Sequence, residues 1–197
     1  MDEVIPGIRH WQAPHPSIGV DVSSYLLVDA GTAIDPLLPE GEDVSWLDHR
    51  VERVVLTVRH HIRSAADFGV PILVHTSGLH EFEGGGLPVV GYDAGDEILP
   101  GVRVLPFGRI CADDAVLKID LGPGVLAFGD GLINYGGLGH PPDQYIGDDP
   151  EAVKAHIVEG LVPLLEEDFD VLLFAHGAPV PSGGKEMLRR FVEAKRG

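Results

Sequence analysis

Titratable side chains follow four short apolar runs of the sequence. The four are His60 after residues 54–58, Arg109 after 104–108, Asp130 after 126–129 and His176 after 172–175. Because functional groups commonly sit on loops at the ends of a rigid sheet, we expect these side chains to converge if the runs are strands of one sheet. Imidazole nitrogens and a carboxylate oxygen are suitable ligands for zinc, iron or manganese. The pattern therefore predicts a metal site made by His60, Asp130 and His176.

Each of these residues also has a purely structural interpretation. His60 and His176 are equally consistent with hydrogen-bonded or surface histidines. Asp130 lies between two glycines, so its carboxylate is also suited to accepting the amide protons of a turn. Cys111 is more typical of a small buried hydrophobe than of a nucleophile, because no local motif would lower the pKa of its thiol.

Composition bounds the class of protein. The chain has 197 residues, which is the size of one domain, and we expect residues 1–197 to form it. Lys and Arg number 14 against 31 Asp and Glu, and the resulting charge of −17 disfavours nucleic acids and anionic membrane surfaces, which leaves a small molecule as the expected partner. A single cysteine precludes an internal disulfide. With no signal-peptide pattern and no long apolar stretch, we expect a cytoplasmic location.

Strands are expected first and helices late. Short β-branched runs bounded by Gly, Pro or Asp predict strands at 24–28, 51–57, 71–74, 102–106, 115–119, 125–128 and 170–175. Asp149 before Pro150 predicts the start of a helix, because the carboxylate can cap it and proline suits its first turn. A second helix is predicted from Ser182. This order indicates an α+β or layered α/β fold.

Residues 131–147 form an unusual segment, rich in Gly and Pro yet containing Tyr135. Structureless segments of this length in compact domains are usually functional or disordered. The border of an active site and a plain surface loop therefore remain equal alternatives for this segment. If it is a border, Tyr135 is a candidate ligand-binding residue.

The order of these segments resembles the metallo-β-lactamase superfamily over nearly the whole chain. Residues 27–36 are similar to its opening hairpin, and residues 56–63 (Leu-Thr-Val-Arg-His-His-Ile-Arg) to the strand and T-H-x-H-x-D-H ligand loop. Gly129-Asp130 is similar to the strand end whose aspartate bridges two metals, and Ala175-His176-Gly177 to the late G-H-G motif. The resemblance implies an α+β four-layer αβ/βα sandwich with a metal site at one edge, between two sheets.

Departures from the family pattern bear on function. On the ligand loop, Val58 replaces the first histidine, Ile62 the aspartate and Arg63 the third histidine, while Arg109 replaces the histidine after a later strand. With four ligands missing, the resemblance implies that a dinuclear centre cannot form. We expect at most one zinc or iron ion per chain, held by His60, Asp130 and His176. The missing aspartate normally helps to position or deprotonate the attacking water, so a catalytic group is lost with it.

Two arginines at former ligand positions suggest a different use of the site. Arg63 and Arg109 would oppose a cation and could clamp a carboxylate or phosphate through their forked donors. Asp113 or Asp114 would then orient one of them. Alternatively, the arginines would form structural ion pairs with Asp113, Asp114 or Asp130. His61 has no position in the family pattern, and it could contribute to the site only if the chain turns there.

Two functions follow as hypotheses. The first is a hydrolase-like protein in which Asp130 and His176 support attack of water on an ester, thioester or lactone. The second is a metal-free protein that binds a small anionic ligand through Arg63 and Arg109, with the side chains of His61, Tyr135, Asp113 and Asp114 contributing to the binding site. Bound metal distinguishes the two hypotheses.

Overall fold

Two β-sheets pack face to face in the computed structural model, which describes residues 1–196. The first sheet contains β1 (Asp2–Ile5), β2 (Ile8–Pro14), β3 (Asp21–Leu27), β4 (Thr32–Ile34), β5 (Arg53–Val55), β6 (Ile72–His75) and β7 (Val89–Tyr92), in that spatial order. The second contains β8 (Glu97–Leu99), β9 (Val102–Leu105), β10 (Val116–Ile119), β11 (Val125–Phe128) and, after the small β12 (Ile133–Asn134) and β13 (Leu138–Gly139) ribbon, β14 (Val171–Phe174). Its spatial order is β14-β11-β10-β9-β8.

The core lies between the sheets because side chains alternate along the strands. In β11, Val125 and Ala127 face the first sheet, whereas Leu126 and Phe128 face the opposite side. Both faces are buried, so the strand is apolar throughout, as is usual for parallel pairs covered on two sides. This explains why the sequence shows continuous apolar runs instead of alternation.

Helices cover only the outer face of the second sheet. They are α1 (Pro150–Leu164) and α2 (Gly184–Arg196), which pack with β11 and β14 in one apolar cluster. Asp149 caps α1 as predicted, its carboxylate accepting the Ala152 amide at 3.1 Å. The α+β sandwich predicted from the sequence is confirmed.

Short 3-10 turns take the place of α-helices outside the first sheet. These turns are Val44–Leu47, Arg59–Ile62, Ala65–Phe68 and Thr76–Phe82. The connections that contain them are interrupted by glycine and proline, which are the poorest helix formers. The fourth layer of the sandwich is therefore thin, and one of its turns carries His60 and His61.

Strand pairing brings two of the predicted site residues to one edge. β11 and β14 are parallel and in register, with Val125 opposite Val171 and Phe128 opposite Phe174. Both strands therefore end at the same level, and the residues that follow, Asp130 and His176, emerge side by side. No helix in residues 1–196 has the length and apolar character needed to cross a membrane.

A buried histidine links β2 to β3. His10 Nε2 lies 2.9 Å from Ser23 Oγ, and the Ser23 hydroxyl donates to Gly177 O at 2.6 Å. The serine proton is thus committed, so His10 is the donor to Ser23. Burial lowers the pKa of His10 to about 4, with a smaller opposing effect from Asp2.

We expect His10→Gln to reduce the acid sensitivity of the fold, because glutamine keeps a donor without taking up a proton. Below its ordinary pKa of 6.5, His10 binds a proton in the unfolded chain but not in the folded one until about pH 4. As the pH decreases across this range, the free energy of unfolding of the wild type should therefore decrease by about 1–2 kcal/mol more than that of the variant. Urea denaturation at pH 7.5 and 4.5 measures this difference. Equal losses in the two proteins would contradict the assignment.

Candidate metal centre

Asp130 follows β11 in a segment where glycine is required on both sides. A Cβ at Gly129 would lie 2.7 Å from Asp114 Oδ1, and one at Gly131 would lie 2.1 Å from the Phe107 ring. The buried Asp114 also accepts the Asp130 amide at 3.1 Å. Close packing behind the Gly-Asp-Gly segment therefore fixes the backbone from which the Asp130 carboxylate extends.

Three imidazoles converge on the Asp130 carboxylate. The Nε2 atom of His60 lies 2.5 Å from Oδ2, and those of His61 and His176 lie 3.1 Å and 3.0 Å from Oδ1. His61 is central among the rings, 5.1 Å from His60 and 5.4 Å from His176 between centroids. Two segments distant in the sequence thus present nitrogen atoms to a carboxylate carried by a third.

Two buried carboxylates anchor the turn that carries the histidine pair. Ahead of the turn, Asp35 accepts the Thr57 amide at 2.8 Å and its hydroxyl at 2.5 Å. At the start of the turn, Asp113 accepts the Arg59 amide at 2.8 Å and also pairs with the Arg59 guanidinium. β5 ends at Val55 and not at residue 57 as predicted, because the Thr57 amide donates to the Asp35 side chain instead of to a neighbouring strand.

Asp35 also fixes the ring of His61. Its Oδ2 lies 3.0 Å from His61 Nδ1, and the opposite nitrogen, Nε2, is left facing Asp130. Burial and the charge of Arg63 lower the pKa of His61, but Asp35 and Asp130 together outweigh them and raise it to about 9. A carboxylate on the outer nitrogen is the arrangement that orients metal-binding histidines in proteins.

The Asp130 carboxylate stays ionised despite its burial. Burial alone would raise its pKa, but the charge of His61 and the hydrogen bonds from the three histidines hold the pKa well below its usual value. The pKa of His176 is lowered, chiefly by burial and against the influence of Asp130. Behind them, burial and the charge of Asp130 raise the pKa of Asp114 well above its usual value.

The donor set fits one transition-metal ion. His60, His61 and Asp130 each offer an atom within 4.8 Å of the other two, and His176 Nε2 contacts the same Asp130 oxygen as His61 Nε2. Nitrogen and oxygen donors of these types suit zinc and iron. For His61 to bind an ion, Nε2 must lose its proton while Nδ1 keeps the one shared with Asp35, so binding would release a proton.

The histidines and Asp130 form the floor of a cavity of about 550 Å³. Its polar lining includes His60, His61, Arg63, Asp130 and His176, and its apolar lining includes Ile18, Val20, Ile110, Ile133, Pro141 and Ile146. The segment 131–147 supplies one wall, and Tyr135 lines the cavity while its hydroxyl donates to Asp21 O at 2.9 Å. This unusual segment is thus placed at the border of the site.

Arg63 lies in the cavity but faces the protein. Its Nη1 donates to Ser23 O at 2.9 Å and to Asp35 O at 2.7 Å, and Nη2 lies 3.5 Å from Ala175 O. Its backbone has a φ of 36°, a value that costs energy for any residue except glycine. The contacts with three carbonyls hold this strained residue in place.

Arg109, Asp113 and Asp114, which were also expected at an anion site, lie outside the cavity lining. Arg109 contacts His156 Nε2 at 2.5 Å, and it packs so closely on Gly160 of α1 that a Cβ there would lie 2.3 Å from its Nε. Asp113 pairs with Arg59, and Asp114 accepts the Asp130 amide. Neither carboxylate orients Arg63 or Arg109, because both are committed to supporting the loops that carry the site.

Asp35 and Thr57 were not among the candidate residues from the sequence. Asp35 was assigned only to the turn of the opening hairpin, and it is separated from His61 by 26 residues. A signal was present, because an aspartate after the apolar run Thr32–Ile34 is another charged residue at a strand end. Its pairing with His61 depends on β4 and β5 being parallel neighbours, which the order of residues alone does not reveal.

Solved structures share the fold of this chain. A metallo-β-lactamase family protein from Thermus thermophilus is 17% identical and superposes with a TM-score of 0.70, covering 98% of this chain and 81% of that one. A β-lactamase domain protein from Burkholderia ambifaria is 20% identical and superposes with a TM-score of 0.71, covering 98% of this chain and 75% of that one. The DIM-1 metallo-β-lactamase is 14% identical and superposes with a TM-score of 0.71, covering 98% of this chain and 95% of that one. A scan with protein-family models and a search of curated proteins both gave no match. At these identities the likeness establishes the fold alone.

We expect Asp35→Asn to lower the free energy of unfolding by about 3 kcal/mol, because it leaves the protonated His61 without one of its two buried counter-charges. Asparagine tolerates the positive φ of 46° at this position, so the change removes the charge and one acceptor oxygen without adding backbone strain. Urea denaturation at pH 7.5 measures the effect. The exposed Asp29→Asn is the control, with an expected change within about 0.5 kcal/mol. Equal stability of the two variants would contradict the role of Asp35.

Proposed function

We propose that this chain, which has the metallo-β-lactamase fold, is a hydrolase that holds a single zinc or iron ion and cleaves an ester, thioester or lactone. The observation that carries the proposal is the convergence of His60, His61 and His176 on Asp130 at the floor of a cavity. Three or four such ligands with an open position are typical of catalytic metal sites, whereas structural sites are closed.

A second ion lacks both ligands and favourable charge. Among the described residues that line the cavity, Asp130 is the only carboxylate. Asp35 is committed to Thr57 and His61, and Asp114 is buried and bonded to the Asp130 amide. Arg63 adds a positive charge to the same cavity, which opposes another cation.

The chemistry of the site divides between the ion and the chain. When bound, the ion acts as a Lewis acid and lowers the pKa of a coordinated water towards 7. The chain's own contribution is to fix the ligands: Asp35 holds the His61 ring with Nε2 facing the cavity, and Asp114 holds the backbone of Asp130. Asp130 and His176 are the residues we assign to orienting the attacking water.

The overall reaction is a hydrolysis without redox change. The oxygen of water bonds to the carbonyl carbon, and the bond from that carbon to oxygen or sulfur breaks. One proton of the water passes to the leaving alkoxide or thiolate, and the other stays with the new carboxyl group. No covalent intermediate on the protein is required. Cys111 is unsuited to form one, because burial and neighbouring carboxylates raise the pKa of its thiol to about 12.

A metal-free protein that binds a small anion is the second candidate. The observation that favours it is Arg63, whose Nε is buried in the cavity region without a hydrogen-bond partner. A clamp made by two guanidiniums requires both to face one space, and Arg109 lies outside the cavity lining. This candidate therefore depends on Arg63 alone.

We expect Asp130→Asn and His176→Ala each to lower turnover of simple esters and thioesters by more than about 100-fold, since changes to groups that only orient ligands already cost 10–100-fold. Turnover is measured with zinc or iron supplied. Cys111→Ser is the control and should stay within about twofold of wild type. Activity that survives both site changes but disappears in Cys111→Ser would indicate a nucleophilic mechanism. Absence of activity in the wild type would favour the anion-binding candidate.

A further inference from the structure

The walls of the cavity differ in character from its floor. Above the histidines and Asp130, most of the lining is aliphatic or proline, including Ile18, Val20, Ile110 and Ile133. Pockets of this size, with a few polar groups at one point and apolar walls, are typical of small-molecule sites in which the walls bind the unreactive part of the ligand.

The walls are fixed in place before any ligand binds. Asn134 Nδ2 donates to Ala178 O at 2.7 Å, and the Asn134 amide donates to His176 O at 3.0 Å. Tyr135 joins the same segment to the start of β3 through Asp21 O. The wall segment is thus tied to the His176 loop on one side and to the first sheet on the other, so the apolar space is preformed.

The cavity offers an anionic group little free positive charge. Arg63 is the only Lys or Arg among the described residues that line it. Both Nη atoms of Arg63 face backbone carbonyls, so only its buried Nε is without a hydrogen-bond partner. A carboxylate or phosphate brought into this space would lose its water and gain only a guanidinium whose Nη donors are already bonded to carbonyls.

From these observations we infer that the cavity selects a neutral substrate whose acyl group is a medium-length alkyl chain or a single aromatic ring. The inference rests on the proposed hydrolase for the scissile carbonyl at the floor, while the apolar walls bind the acyl group. Each buried methylene contributes about fourfold to binding. Preference should therefore rise with acyl length until the cavity is full.

Binding to metal-free protein tests the inference without turnover. The probe is N-phenyl-1-naphthylamine, a neutral dye whose fluorescence rises in apolar surroundings. We expect wild type to bind it saturably, and methyl octanoate to displace it at least tenfold more effectively than monomethyl suberate, which has the same chain length but ends in a carboxylate. Equal displacement, stronger displacement by the suberate, or no binding of the dye would overturn the inference.

A matched pair of variants locates the binding site. Val20 is 42% exposed at the cavity, and Val90 is 52% exposed on β7, away from it. We expect Val20→Asp to weaken binding of the dye at least fivefold and Val90→Asp to leave it unchanged. Ile18→Asp changes a second wall position and should also weaken binding of the dye, which would exclude a local effect of the Val20 substitution. Equal weakening by the Val20 and Val90 variants would overturn the assignment to this cavity.

Kinetics with metal supplied then separate the two proposals. If the hydrolase proposal holds, kcat/KM for p-nitrophenyl esters should rise at least tenfold from acetate to hexanoate in wild type, and this rise should flatten in Val20→Asp. Saturable, neutral-selective dye binding without turnover of any ester would support the apolar cavity and overturn the hydrolase. Turnover that falls with acyl length would overturn the acyl preference and leave the hydrolase standing.

Discussion

The buried carboxylate of Asp35 is the constraint on which the candidate site depends. It is almost fully enclosed, yet it accepts the amide and hydroxyl of Thr57 and the Nδ1 proton of His61. Burial would raise its pKa, but the charges of His61 and Arg63 and these hydrogen bonds hold it below the usual value. One ionised group therefore ends β5, shapes the histidine turn and orients an imidazole towards Asp130.

Substitution of ligands in this fold changes the balance of charge as well as the number of donors. Arg63 places a permanent cation where the resemblance expects a histidine, and its hydrogen bonds connect β3, the Asp35 turn and the His176 loop. The same side chain thus stabilises the loops around the cavity and opposes a second metal ion. His61, adjacent to His60, offers a further nitrogen within 4.8 Å of the ligand atoms of His60 and Asp130.

Much of the architecture was predictable, because strand and helix signals are local. The apolar run at Val125–Phe128 and the cap at Asp149 are examples. Convergence of His60, Asp130 and His176 was also predicted from their positions after strands, and the structure brings them together. Those signals are sufficient because parallel strands place their following residues at one edge.

Side-chain partners were less accessible to sequence reasoning. The direction of His61 depends on a 3-10 turn that interrupts the extended chain, so strand alternation gave no guidance. Arg109 lies outside the cavity lining because Gly160 on α1 leaves room for its side chain, a contact between residues 51 positions apart in the sequence. Such pairings arise from packing between layers and not from spacing along one element.

The central claim is that Asp130 and its histidines hold one metal ion and no more. Elemental analysis tests it most directly, on protein incubated with zinc or iron and then dialysed against a mild chelator. The account predicts about one equivalent per chain, lost in His61→Gln and retained in His156→Gln, whose imidazole contacts Arg109 outside the cavity lining. Two tightly bound equivalents, or none, would contradict it.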